Sequence, residues 1–114
     1  MTRKSGYIGK ESVELITLDA FLDKGPQLTT TPMGLKVDTQ GYEAEVMSGL
    51  DRWGESIKVI QIEMSLVPLY DRSPGFIDLY RLMQDRGYRC ISIEPNFIDT
   101  HTYEVLQTDA VFER

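Results

Sequence analysis

The 114-residue sequence holds one cysteine and one histidine, no two glycines one residue apart, and no long apolar run. A lone Cys90 excludes an internal disulfide framework and a cysteine-based zinc cluster, and it fits a reducing compartment, so a cytoplasmic location is expected. The nine glycines never form G-x-G, so neither a dinucleotide fingerprint nor a Walker loop is present and the chain brings no phosphate cradle of its own. No stretch approaches the roughly 20 apolar residues that span a bilayer, and "MTRKSGYIGKES" has basic residues without an apolar signal core. Membrane insertion is not expected. The 12 Lys and Arg are scattered against 18 Asp and Glu, a net charge of -6, which argues against a nucleic-acid partner. With 41% apolar and 26% charged residues, and neither a repeat nor a low-complexity tract, residues 1–114 read as a single domain with a modest core.

Strand and helix signals alternate along the chain. "SVELIT" reads as a strand, and "LDAFLDKG" as a short helix stopped at Gly25 and Pro26. Leu35 to Val37 form a second strand ending at Asp38. The helix after it is expected to place Tyr42, Val46, Met47, Leu50 and Trp53 on one apolar face as core and to stop at Gly54. Glu43 and Glu45 fall in its first turn and Arg52 in its last, as the helix dipole favours. "IKVIQIEMS" has apolar residues on both parities, the pattern of a central strand covered by helices on both faces. Ser73 and Pro74 make an N-cap and first helical position, followed by the stripe Phe76, Leu79, Tyr80 and Met83. "YRCISIEP" and "DAVFER" are two further strands whose polar link is too short for a crossover helix, so they pair antiparallel. The expected fold class is α/β: a mostly parallel sheet flanked by helices, with an antiparallel C-terminal hairpin.

In such sheets ligands gather outside the carboxyl ends of the parallel strands, where Asp38 and Glu63 fall. If their strands are neighbours, the two carboxylates meet at one rim and can share a proton, hold a divalent cation or deprotonate a substrate hydroxyl. The alternative is structural: Asp38 accepts N–H bonds from the turn at residues 39–41, and Glu63 pairs with an arginine such as Arg72. Gly41 either lets the backbone approach a ligand or relieves the entry to the helix. Glu43 either reaches a ligand or serves the helix dipole. Cys90 reads as a small buried hydrophobe. His101, with Asp99 nearby, is either an acid/base pair or a solvated turn. No metal site is indicated.

"LKVDTQGYEAEVMSGL", followed by "IQIEMSLVPLYDRSPGF", "RGYRCISIEP" and "LQTDAVFER", resembles the C-terminal half of an FkbM-family methyltransferase, from about Leu18 in "TLDAFL" to Arg114. The resemblance implies a class I, Rossmann-like sheet whose last strand inserts antiparallel beside its neighbours. It also implies S-adenosylmethionine as cofactor and methyl transfer to a hydroxyl oxygen of a small molecule or glycan. It makes Asp38 and then Glu63 the candidate catalytic bases, puts Asp38, Gly41 and Glu43 beside the cofactor, and sets the loop "SLVPLYDRSPG" beside the substrate. The family's glycine-rich cofactor loop has no counterpart in these residues, so the chain alone is expected to be inactive or only weakly cofactor-binding. The strand Leu35 to Val37 then presents an open edge, through which a homo-oligomer is expected to form. A non-catalytic α/β interaction module using the same edge is the alternative.

Overall fold

The strand Ile57–Ser65 organises the fold: it lies between two other strands and turns Ile60, Ile62 and Met64 into the core and Gln61 and Glu63 to the opposite face. The computed structural model describes residues 12–25, 33–39, 41–67 and 75–114. In chain order these form α1 (Leu18–Lys24), β1 (Met33–Val37), α2 (Glu43–Ser48), a 3-10 turn (Gly54–Ser56), β2 (Ile57–Ser65), α3 (Phe76–Asp85), β3 (Arg89–Ile98) and β4 (Val105–Glu113). The sheet order is β1-β2-β4-β3. β1 and β2 are parallel, whereas β4 is antiparallel to both β2 and β3.

Lateral registry explains the core. Leu35 lies beside Ile60, which faces Phe112; Val37 lies beside Ile62, which faces Ala110. These rows are apolar, and Met47 and Leu50 from the α2 region and Leu79 and Met83 from α3 complete the buried cluster. Tyr80 closes on Phe112 edge to face, with ring centroids 5.7 Å apart. Residues of opposite parity, Val59, Gln61 and Glu63, point to the other face of the sheet. No described helix covers that face, and Val59 is 42% exposed.

Several expectations are corrected. The sheet is not mostly parallel: among the described strands only β1 and β2 pair that way. β4 inserts between β2 and β3, so two neighbours that would have been parallel are each paired with an antiparallel strand. β2 is central as expected, yet a helix layer lies on one face only among the described residues. "SVELIT" forms no strand; Leu15 is 90% exposed. β-propensity needs a ladder partner, and none of the described strands pairs with it. Its last residue, Thr17, instead caps α1 by accepting from the Ala20 N–H at 3.1 Å.

α2 ends at Ser48 with Gly49 as its C-cap, short of the expected stop at Gly54, which opens the 3-10 turn. The N–H groups that a longer helix would have satisfied internally go to Asp19, whose carboxylate accepts from Asp51 and Arg52 at 2.8 Å and from Trp53 at 3.0 Å. Burial of Asp19 opposes its ionisation, but these N–H groups outweigh it and hold the carboxyl below its usual value. Arg52 is therefore outside the helix and pairs with Asp23 on α1. Tyr42 is 49% exposed and not core, because it precedes the helix as its N-cap residue. Trp53 is half-buried against the core, with its indole N–H donated to Asp23 at 2.9 Å. α3 carries the expected stripe but takes Gly75 as its N-cap; Ser73 and Pro74 lie outside the described residues. The antiparallel pair of β3 and β4 is as expected, though each strand runs further into the polar link. No helix among the described residues is long and apolar enough to cross a membrane.

Candidate active site

β1 stops at Val37, and the parallel register places Val37 beside Ile62. The next residue on each strand is acidic, so Asp38 and Glu63 leave neighbouring strands side by side on the uncovered face. Glu63 is not the last residue of its strand: pairing with β4 holds β2 extended through Met64 and Ser65. Asp109 of β4 lies directly opposite Glu63, adding a third carboxylate. Glu43, at the start of α2, adds its charge from the β1 side.

Glu43 is buried and turned inward. Its Oε2 accepts from the Gly41 N–H and from the Thr39 hydroxyl, both at 3.3 Å. Glu43, and not Asp38, therefore takes the Gly41 N–H of the turn. Gly41 has φ 111, a conformation that side-chain-bearing residues rarely adopt, so it relieves the entry to the helix. Asp38 remains exposed at the rim.

The Glu63 carboxylate is half-buried and held on the same face by side chains from β4 and β3. Asn96 Nδ2 donates to its Oε2 at 3.0 Å, and Gln107 Nε2 donates to its Oε1 at 3.2 Å. Arg72 lies outside the described residues. Partial burial, followed by the negative charges of Asp38, Asp109 and Glu43, pushes the Glu63 carboxyl above the usual glutamate range, while the Asn96 amide acts in the opposite direction. A carboxylate with raised proton affinity and fixed oxygens is a proton acceptor poised closer to neutrality than a free glutamate. Among the described residues no group of three or more His, Cys, Asp and Glu is arranged to hold a metal ion.

Other candidates resolve into structural roles. Asp99 accepts the main-chain N–H groups of His101 at 2.7 Å and Thr102 at 3.0 Å, which keep its carboxyl below the usual range. This is the turn between β3 and β4, and the bond runs to the backbone of His101 instead of its imidazole. Cys90 is half-buried against the core, with Sγ 3.7 Å from the Ser92 carbonyl oxygen. The segment expected beside the substrate falls largely on residues 68–74, outside the described ones. Sequence reading missed Asp109, Gln107 and Asn96. The alternation of "LQTDAVF" signals the first two, since Thr108, Ala110 and Phe112 are buried and the intervening residues face the other way.

The model of the Methyltransferase FkbM domain matches residues 2–90. No curated protein and no solved structure gives a significant match. The matched span is most of the chain, and the chain belongs to the FkbM methyltransferase family. It begins earlier than the resemblance read from the sequence and ends at Cys90, so β4, whose antiparallel insertion that resemblance implied and the sheet order shows, lies beyond the matched span.

Proposed function

We propose that this chain contributes the acceptor side of an S-adenosylmethionine-dependent methyl transfer to a hydroxyl oxygen, with Glu63 as the proton acceptor and Asp38 as the rim carboxylate beside it. The observation that supports this reading is the pairing of β1 with β2, which brings two acidic residues from separate segments to one open rim. The order of the two bases is the reverse of that expected from the sequence. Glu63 is fixed at both oxygens and has raised proton affinity, whereas Asp38 is exposed.

The residues present suit the cofactor in charge: S-adenosylmethionine supplies a methyl group on a positive sulfonium, and the rim is acidic. Asp38 and the turn held by Gly41 and Glu43 would border it. Two cavities, of about 170 and 400 Å³, lie away from the rim, one among Leu50, Arg86 and Tyr88 and the other between α1 and α2. At the rim the chain's own residues contribute alignment and proton removal. Glu63 accepts the hydroxyl proton as the oxygen begins to attack, and the amides of Asn96 and Gln107 keep its oxygens from turning away. Asp38 and Asp109 keep a proton on Glu63 favourable once it has arrived.

Turnover with labelled S-adenosylmethionine and a panel of hydroxyl-bearing small molecules and glycans tests the reading. Removing a general base lowers the rate by about a hundredfold or more. Glu63→Gln should do so while leaving cofactor binding, followed by titration calorimetry, nearly unchanged; full turnover in that variant refutes the assignment. A second reading, an interaction module, draws on β1 being an edge strand among the described residues. Edge pairing between two copies predicts a concentration-dependent dimer by light scattering, and a strict monomer at high concentration speaks against it.

A further inference from the structure

β3 and β4 do not pair evenly. Pro95 lies opposite Thr108 and Phe97 opposite Gln107, which leaves Asn96 as an extra residue with no partner of its own. Asn96 comes two residues after Glu94, which lies opposite Asp109, so alternation puts it on the face that carries Glu63, and the bulge leaves it without a residue directly across. Here the Asn96 amide reaches over β4, where a single nitrogen lies 3.1 Å from Asp109 Oδ1 and 3.0 Å from Glu63 Oε2. Both neighbours are carboxylate acceptors and an amide nitrogen offers two protons, so the NH2 end must face them.

We propose that Asn96 is a positioning residue for Glu63: from the bulge in β3 its amide bridges Glu63 and Asp109 and holds the Glu63 carboxylate in one fixed orientation on the uncovered face. The inference rests on the methyl-transfer reading for its purpose, but the bridge itself does not depend on that reading. Without the bridge, two carboxylates facing each other across β2 and β4 repel, and Glu63 swings or takes a proton to relieve the charge. The groups facing Glu63 are Asp38 after β1, Glu43 on α2, Asp109 on β4, and the amides of Asn96 and Gln107. Among these, the two amides alone favour its ionised form.

The full chain labelled with ¹³C at glutamate and aspartate side chains provides the test, with the Glu63 carboxyl followed by NMR across pH. Asn96→Ala should move the Glu63 midpoint to higher pH. Ser92→Ala, on the same strand and without contact to Glu63, should leave it in place. An unmoved midpoint in Asn96→Ala overturns the proposal, as does an equal movement in Ser92→Ala. Asn96 is exposed, so the variant should retain its fold. In an active preparation, Asn96→Ala should also shift the rising limb of the kcat/KM profile upward. If the midpoint moves while no transfer to any hydroxyl is found, the bridge stands and the methyl-transfer reading fails.

Discussion

Replacing Ile62 by alanine probes the alternation that puts Glu63 on the open face. Ile62 is 0% exposed, flanked by Val37 on one side and Ala110 on the other. Alanine removes three carbons, worth roughly 2.5 kcal/mol of lost transfer from water at about 0.8 kcal/mol each. Ala110 opposite is too small to fill the space, and the residual cavity should raise the total to about 3–4 kcal/mol. Val59→Ala is the companion. It lies three residues earlier on the other face and is 42% exposed, so removing its two carbons should cost less than about 1 kcal/mol. Urea unfolding followed by the fluorescence of Trp53, the single tryptophan, measures both. Equal losses, or a larger loss at Val59, would mean that β2 presents the opposite face to the helices. The register that delivers Glu63 to the rim would then be wrong.

Further outcomes follow from the polar contacts. Because the Glu63 carboxyl is held above its usual value of 4.5, the folded protein binds that proton more tightly than the unfolded chain. Its contribution to stability is then present below the usual value and lost as pH rises through the folded one. Glu63→Gln should accordingly stabilise the protein near neutrality and flatten that decline, as thermal melts across pH will show; lower neutral stability in the variant would contradict the assigned environment. Tyr88 places its hydroxyl 2.7 Å from the Ile57 carbonyl oxygen and 3.2 Å from that of Gly54. Tyr88→Phe leaves the Ile57 oxygen without this donor and should cost about 1–2 kcal/mol in the same urea assay, with no loss meaning that the bond is not formed in solution.

How much of this was legible in the sequence depends on the range of the interaction. The helix at "LDAFLDK", the strand over Leu35 to Val37 and the stripe Phe76, Leu79, Tyr80 and Met83 follow from local period and caps, and all three are present. The central position of β2 could be read from its composition, and its apolar residues at both parities suggested two covered faces, whereas the buried row is Ile60, Ile62 and Met64. Asp19 carries a long-range role that its place in a first helical turn conceals, since its partners are 32 to 34 residues away. Asp38 and Glu63 were identified individually, and their adjacency needed only that their strands be neighbours. Asn96 fell outside the strand read as "YRCISIEP", and its reach to Glu63 depends on β4 lying between β2 and β3, which its local sequence does not mark.

The most direct test of the acidic rim is the Glu63 titration in the Asp38→Asn variant. Removing a like charge beside Glu63 should move its midpoint to lower pH, opposite in direction to the effect of Asn96→Ala. A midpoint that stays where it is in the wild-type chain, or rises, would mean that Asp38 and Glu63 do not share one rim.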